Sequence, residues 1–378
     1  MNLLVTNWQD LRNPQGGGAE VHLFEIFSRL AARGHRVTLI CCGFPGGAPV
    51  EVVEGIEVHR HGGRHSFALS GWQAISRAVR TLRPDVVIDD INKLPIGAPL
   101  LTSRPVYAIV PHLFGTTAFA EASWPVAATV WAAEKLIPRI YRNAWFHAIS
   151  DSTRDDLVAR GIPRGRIAVV YPGVDTRRFH PDPATPRRAD PRFVYVGRLR
   201  RYKGIEYLID ALAEAGKLRP DLSVDIAGTG DDRARLEGRA RERGVADRVR
   251  FHGYVDEATR LRLLRESVAN VFPSPKEGWG ITVMEAAACG TPSIASDSPG
   301  LRDSVRNGRT GILVPHGDVA ALAQAMVALA TDRPRAETLG RAAREWAEQL
   351  SWDSAAEIVE RHLAALAAGR DPIVTPDS

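Results

Sequence analysis

Cysteine is scarce in this 378-residue chain, which has only Cys41, Cys42 and Cys289. Because the number is odd and two of the three are adjacent, they do not form the paired framework of a small secreted domain. The first ten residues lack the basic segment and apolar run of a signal peptide. Both absences predict a reducing, cytoplasmic compartment.

Long hydrophobic runs are also missing. The longest candidate, residues 122–140, is interrupted by Pro125, Glu134 and Lys135, whereas a membrane-spanning helix needs about 20 consecutive apolar residues. The chain is therefore not expected to cross a membrane. The mixture of tryptophan, arginine and apolar residues in 124–145 is also typical of interfacial helices. Two interpretations therefore stay open, namely peripheral contact with the inner membrane face and a helix packed in the core. Liposome flotation would decide between them.

Neither sign of charge dominates, and several ligand-binding motifs are absent. The chain has 49 basic and 44 acidic residues, a net charge of +5, and its arginines are scattered. This argues against a nucleic-acid groove and favours a small anionic ligand. We find no P-loop, no G-x-G-x-x-G spacing of a dinucleotide site, and no cluster with metal-ligand spacing. Neither a nucleic-acid partner nor a metal is expected.

Alternation between short apolar runs and helical patterns is abundant, and it predicts doubly wound α/β architecture. The predicted strands are 3–5, 37–42, 86–88, 105–110, 145–149, 167–171, 193–197, 222–228, 249–253, 269–273, 292–296 and 311–315. A proline-rich stretch interrupts the alternation and favours an extended linker. We expect a first domain at 1–180, a linker at 181–191, a second domain at 192–351, and a helix at about 352–368 packing back on the first domain.

One stretch, residues 276–290, combines glycines, two carboxylates and a helix start. The amides of the first helical turn have no intrahelical partner and favour a phosphate; they belong to Gly280, Ile281, Thr282 and Val283. Glu277 and Glu285 can accept hydrogen bonds from hydroxyl groups. A ligand with a central diphosphate and a polyhydroxy ring at each end would fit. Alternatively, Glu277 only complements the helix dipole and Glu285 faces solvent.

A second constellation follows another predicted strand. Arg198 and Lys203 lie just after the strand that ends at Gly197, where ligands bind in doubly wound sheets, and both cations suit phosphate oxygens. A solvated basic loop is the alternative. Gly228 and Gly230 follow a further strand and permit close backbone approach.

A third glycine cluster comprises Gly16, Gly17 and Gly18. It follows the first predicted strand and could admit a phosphate or a sugar.

Seven motifs together resemble glycosyltransferase family 4, retaining enzymes of the GT-B fold. In that fold, two Rossmann-like domains face each other across a cleft. The motifs are GGGAE at 16–20, RGHRVTLI at 33–40, AIS at 148–150, YPGVD at 171–175, VGRL with KG at 196–204, AGTG at 227–230, and EGWG with EAAACGTP at 277–292.

The resemblance implies roles for the candidate residues. Arg198 and Lys203 would bind the donor diphosphate with the helix start at 280–283. Glu285 would hold ribose hydroxyls, and Glu277 would hold hydroxyls of the donor sugar.

For the remaining candidates the resemblance implies positions near the donor. Gly253 and Tyr254 would lie near the base, and His112, which follows a predicted strand, would point at the transferring sugar.

The activity implied by the resemblance is transfer of a sugar, with retention, from a nucleoside-diphosphate sugar. The nucleotide is expected to be UDP or GDP. The acceptor would be a small molecule, a saccharide or a lipid, and neither a metal nor a cofactor would take part. Other enzymes of the same fold, such as a sugar-nucleotide epimerase or a phosphorylase, remain alternatives, as does a non-catalytic nucleotide-sugar-binding protein.

Overall fold

The computed structural model describes residues 1–64, 66–117, 119, 123–185 and 187–373. Within them the chain forms two compact units. Unit 1 comprises residues 1–172 together with the C-terminal segment from Trp352, and unit 2 comprises Gly173–Ser351.

Fourteen strands occur in the described residues. They are β1 (Asn2–Thr6), β2 (Arg36–Cys41), β3 (Val50–Val53), β4 (Ile56–Arg60), β5 (Val86–Asp90), β6 (Val106–Val110), β7 (Trp145–Ala148), β8 (Ile167–Val169), β9 (Arg192–Val196), β10 (Ser223–Ala227), β11 (Val249–Gly253), β12 (Ala269–Phe272), β13 (Ser293–Ser296) and β14 (Gly311–Val314).

Twelve α-helices accompany them in the same residues. They are α1 (Gly18–Ala32), α2 (Phe67–Leu82), α3 (Trp124–Ile140), α4 (Asp151–Ala159), α5 (Ile205–Ala215), α6 (Arg233–Glu242), α7 (Glu257–Glu266), α8 (Ile281–Ala288), α9 (Leu301–Ser304), α10 (Val319–Thr331), α11 (Arg333–Glu348) and α12 (Trp352–Ala367).

Unit 1 is built on one eight-stranded sheet in the order β3-β4-β2-β1-β5-β6-β7-β8. All neighbouring strands are parallel except the β3–β4 pair. Successive residues of a strand face opposite sides of the sheet. Leu3 and Val5 accordingly pack in the core with α1 and α12, whereas Leu4 packs in the core with α2 on the other side. The sheet therefore has helices on both faces.

Unit 2 has a six-stranded parallel sheet in the order β11-β10-β9-β12-β13-β14. Its core joins the strands to α5 and α10 through Leu208, Leu212, Met326 and Leu329, all of which are buried. The predicted doubly wound α/β class is confirmed in both units.

The boundary between the units differs from the predicted one. The chain leaves unit 1 after Pro172, and residues 181–191 belong to unit 2. Arg187 donates to the carbonyl of Gly290, and the amide of Arg188 donates to that of Glu266 at 3.1 Å. These bonds hold the proline-rich stretch against the rest of unit 2. Pro186 lies outside the described residues.

Helix α12 returns the chain to unit 1. Trp352, Val359 and Leu363 are buried in the core beneath α1, and Arg29 on α1 pairs with Asp353 at 2.6 Å. The helix ends at Ala367, one residue before the predicted limit.

Helix α3 covers most of the stretch for which membrane contact was considered. Ala127, Glu134 and Ile137 are buried, whereas Trp124 and Leu136 are 73% and 45% exposed. Peripheral membrane contact stays a prediction. Across the described part of the chain, every helix is too short or too polar to traverse a lipid bilayer.

Candidate functional site

The carboxyl edge of the unit 2 sheet brings the two predicted constellations together. β9 lies between β10 and β12, so the chain order reverses at the β9–β12 neighbours. In open α/β sheets, ligands bind outside the carboxyl ends of the strands at such a reversal. The loop after β9 contains Arg198 and Lys203, and the loop after β12 contains Glu277. Residues far apart in sequence thus meet at one edge.

A short ion pair joins these loops. The Lys203 Nζ donates to Glu277 Oε1 at 2.6 Å, with the two side chains only 11% and 15% exposed. The ammonium also lies 5.0 Å from the ring centroid of Tyr202 and 5.6 Å from that of Phe272. Burial alone would lower the pKa of Lys203, but the Glu277 carboxylate outweighs it, so the net pKa is raised. Lys203 is therefore a fixed cation.

The Glu277 loop is held by the turn that follows β13. The Glu277 amide donates to the Pro299 carbonyl at 3.1 Å, and the Ser298 Oγ donates to the Ser274 carbonyl at 2.9 Å. A Cβ added at Gly300, where φ is +78°, would lie 2.2 Å from the Glu277 carbonyl oxygen. Only glycine permits this approach, which positions the carboxylate.

Helix α8 begins at Ile281, which confirms the predicted helix start. Gly280 precedes it with φ +101° and ψ +63°, a left-handed conformation that favours glycine. The first-turn amides of Ile281, Thr282 and Val283 have no partner within the helix. An anion at this end would be favoured by these donors and by the helix dipole.

Glu285 lies on the second turn of α8 and is 8% exposed, so it does not face solvent. Its Oε2 is 3.2 Å from Arg260 Nη1, and the Arg260 guanidinium lies 4.9 Å from the ring centroid of Phe179. Burial raises the pKa of Glu285 to about 7, although Arg260 and Arg178 oppose the rise. The carboxyl group is therefore poised to change charge near neutral pH.

The glycines after β10 serve backbone packing. A Cβ on Gly228 would lie 1.8 Å from the Gly197 carbonyl oxygen, and one on Gly230 would lie 1.9 Å from that of Leu199. The Gly228 amide donates to the carbonyl of Gly253 at 2.8 Å. The close approach predicted for these glycines is therefore to the backbone of a neighbouring loop of the same chain.

The predicted base contact Tyr254 directly follows Gly253. Its side chain is 86% exposed.

Two family models and one relative identify the chain. It fits the family model described as Glycosyltransferase Family 4 over residues 16–178 and the model described as Glycosyl transferases group 1 over residues 177–346. It is also 30% identical to the GDP-mannose-dependent alpha-(1-6)-phosphatidylinositol monomannoside mannosyltransferase of Mycobacterium tuberculosis, over 94% of this chain and 95% of the relative. The chain belongs to glycosyltransferase family 4.

Two further similarities agree with this glycosyltransferase assignment. A glycogen synthase of Mycobacterium tuberculosis is 29% identical over 98% of this chain and 97% of its own length. The solved structure of a sucrose-phosphate synthase from Thermosynechococcus elongatus superposes with a TM-score of 0.84 at 24% identity, covering 97% of this chain and 99% of that one. The predicted GT-B fold is confirmed.

In unit 1 of this family 4 glycosyltransferase, the predicted glycine loop leads directly into α1. Gly17 precedes the helix and Gly18 is its first residue. The Gly17 amide donates to Glu20 Oε2 at 2.6 Å, and the other oxygen of Glu20 accepts from Asn92 at 3.0 Å. Glu20 thus fixes the loop to the carboxyl end of β5.

His112 follows β6, as predicted, and is half-buried. Its ring lies 4.9 Å from that of Phe114 in an edge-on contact. The loop is also fixed by Glu134 of α3, which accepts from the amides of Phe114 and Gly115. This role of Glu134 was not predicted, because in the sequence the residue is only a charge that interrupts an apolar run.

Asp89 and Asp90 end β5 and differ in environment. Asp89 accepts from the Tyr141 hydroxyl at 2.5 Å and from the Ala98 amide at 3.2 Å. Asp90 is 1% exposed, and its oxygens have no hydrogen-bond partner within the described ranges. Burial raises the pKa of both, that of Asp90 further because Glu20 and Asp89 add negative charge.

Proposed function

We propose that this glycosyltransferase moves a sugar from a nucleoside-diphosphate sugar to an acceptor nucleophile with retention at the anomeric carbon, without a metal. The observation that carries the proposal is the 2.6 Å pair between Lys203 and Glu277 at the order reversal of the unit 2 sheet. It sets a permanent cation beside a carboxylate, at the edge where Arg198 and the first turn of α8 also lie.

The cationic part of this site suits the diphosphate. An ammonium has three N–H donors, so Lys203 can keep Glu277 as one partner and offer the others to phosphate oxygens. Negative charge builds on the diphosphate as the bond to the sugar breaks. A cation held in place beforehand stabilises that charge without reorganising. Arg198 and the amides of Ile281, Thr282 and Val283 would add donors.

The carboxylates suit the two rings of the donor. We assign Glu277 to hydroxyls of the sugar and Glu285 to the ribose, as the family resemblance implies. The acceptor would attack on the face from which the diphosphate leaves, and a departing phosphate oxygen would take the acceptor proton. A covalent sugar on Glu277 is the alternative route to retention.

The nucleotide and the acceptor are proposed more broadly. We propose GDP or UDP, with Gly253 and Tyr254 near the base; the mannosyltransferase relative depends on GDP-mannose by its name. The acceptor is a small molecule, a saccharide or a lipid, and the resemblance assigns His112 to the transferring sugar.

Lys203→Ala tests the diphosphate assignment, with Lys217→Ala as the matched control because Lys217 pairs with Glu214 on the surface, where it is 69% exposed. We expect kcat at saturating donor to fall about 10²–10³-fold in Lys203→Ala, by analogy with loss of an oxyanion donor, and to stay unchanged in the control. Unaltered turnover in Lys203→Ala would reject the assignment.

The donor is identified by thermal shift with UDP-, GDP-, ADP- and TDP-sugars, since binding to the folded state raises the melting temperature. NMR of the product then gives the stereochemistry. Donor consumption without an acceptor would indicate an epimerase or a phosphorylase. Tight donor binding with no product from any acceptor would indicate a non-catalytic binding protein.

A further inference from the structure

We propose that Glu134 is a positioning residue that holds the loop bearing His112 for sugar transfer. The proposal rests on the proposed function, in which His112 acts at the transferring sugar. Glu134 lies on α3, 22 positions after His112 in the sequence.

Glu134 holds the loop by two charged hydrogen bonds. Its Oε1 accepts from the Phe114 amide at 2.6 Å, and its Oε2 accepts from the Gly115 amide at 2.8 Å. The residue is 0% exposed. Hydrogen bonds to an ionised acceptor are roughly twice as strong as neutral ones. Two of them to successive amides fix both the position and the orientation of the backbone.

The buried carboxylate is compensated by Arg160, the residue that follows α4. Arg160 Nη1 donates to Glu134 Oε2 at 3.3 Å, while Arg160 Nε donates to Asp156 Oδ1 at 2.9 Å. A buried carboxylate without such a cation would be strongly destabilising. Asp156 thus orients the arginine, and the arginine places its guanidinium beside the Glu134 carboxylate that receives the two amides.

The other end of the loop is fixed independently. The Thr153 Oγ1 donates to the Pro111 carbonyl at 3.1 Å, and the rings of His112 and Phe114 are in contact at 4.9 Å. Anchors on either side of His112 leave its backbone little freedom. Release of the Glu134 anchor would free the segment immediately after the histidine.

A carboxylate is required for this arrangement because both acceptor positions face N–H donors. A glutamine would satisfy one amide with its oxygen and place its own NH₂ group against the other. Glu134→Gln should therefore loosen the loop with little change in volume. Misplacement of a reacting group by about 1 Å costs up to about 10²-fold in rate, so we expect kcat to fall between about tenfold and a hundredfold.

The experiment compares Glu134→Gln with Asp85→Asn. Asp85 also accepts a backbone amide, that of Asn2 at 2.7 Å, but at the amino edge of the sheet. Hydrogen exchange of the 111–117 peptide reports the hold on the loop, and kcat and the donor KM report its use. We expect faster exchange and lower kcat with unchanged donor KM in Glu134→Gln, and wild-type values of all three in Asp85→Asn.

A double variant with His112→Ala decides whether Glu134 acts through the histidine. We expect Glu134→Gln to have no further effect on kcat in the His112→Ala background, since the group being positioned is already gone. Multiplying effects, full turnover in His112→Ala alone, or unchanged exchange in Glu134→Gln would each overturn the proposal. If the proposed function is wrong, the wild type will transfer no sugar. The exchange measurement would still test whether Glu134 holds the loop.

Discussion

Glu277 and Glu285 are eight positions apart in sequence, yet their surroundings separate their chemistry. Glu277 receives a direct hydrogen bond from Lys203, which stabilises its charge. Glu285 is more deeply buried, and the nearby Arg260 only partly offsets the cost of desolvation. The local environment thus raises the pKa of Glu285 to about 7.

Glu285→Gln should change how stability depends on pH. Burial raises the pKa of Glu285 from its ordinary value of 4.5 to about 7 on folding, so the folded state binds the proton more tightly than the unfolded state. Its contribution is therefore most favourable at low pH and is lost as pH rises through this window. We expect Glu285→Gln to gain stability relative to wild type between pH 4.5 and 7, as measured by urea unfolding without ligand.

Glu345→Gln is the control for this measurement, because Glu345 is exposed on α11. Its difference from wild type should not change with pH. An equally flat difference for Glu285→Gln would mean that the carboxyl group titrates normally.

Three loops at the carboxyl edge of the unit 2 sheet form one hydrogen-bonded layer. The amides of Gly197 and Leu199 donate to the carbonyls of Ala227 and Thr229 at 3.0 and 2.9 Å. Gly228 in turn donates to Gly253. These hydrogen bonds position the loop that carries Arg198 and Lys203. The AGTG motif at 227–230, which resembles a ligand-binding loop, therefore has a structural role here.

Gly228→Ala should destabilise unit 2 in the absence of any ligand. A Cβ at 1.8 Å from a carbonyl oxygen cannot be accommodated, so the loops must separate, at a cost of about 2–4 kcal/mol. Urea unfolding measures the loss. Gly238→Ala is the control: it lies inside α6, the nearest atom to a new Cβ is 3.9 Å away, and it should gain about 0.5–1 kcal/mol. Equal stability of the two variants would refute the packing role.

Most strands could be predicted because apolar runs and glycine-rich turns are local signals. The β3–β4 hairpin was missed, although Glu54 and Gly55 form a turn between alternating residues. Glu51, Glu54 and Glu57 interrupt its apolar run. The Lys203–Glu277 pair could not be predicted, since 73 residues separate its members in sequence and only the β9–β12 neighbours bring them together. The anchor at Glu134 was hidden for the same reason.

On the scale of the whole molecule, the C-terminal helix completes the first unit. α12 buries aromatic rings and histidines together with α1 and the sheet. The ring centroid of His22 lies 5.9 Å from that of Trp352 and 5.3 Å from that of His147. The Tyr107 hydroxyl and His362 Nδ1 share a 3.0 Å hydrogen bond. The last segment of the chain therefore stabilises its first segment.

His22→Phe should make unit 1 less sensitive to acid. Burial lowers the pKa of His22 from 6.5 to about 4, so the unfolded chain takes up a proton first as the pH falls. Stability is lost from pH 6.5 down to about 4, by about 1.4 kcal/mol per pKa unit. We expect hydrogen exchange in β1, corrected for the intrinsic amide rate at each pH, to accelerate less at pH 5 in His22→Phe than in wild type. His180→Phe, at an exposed position in unit 2, should behave as wild type; identical acid responses of all three proteins would contradict the prediction.

The sequence by itself determined the α/β class, the positions of most strands, the glycosyltransferase family and the start of α8, because each depends on local periodicity or on a contiguous motif. Only the tertiary structure decided which charges meet. It paired Lys203 with Glu277, buried Glu285 beside Arg260, placed Glu134 on the His112 loop, and put the boundary at Pro172 rather than in the proline-rich stretch. Pairing and burial depend on strand order and on the packing of distant segments, which no short stretch of sequence contains.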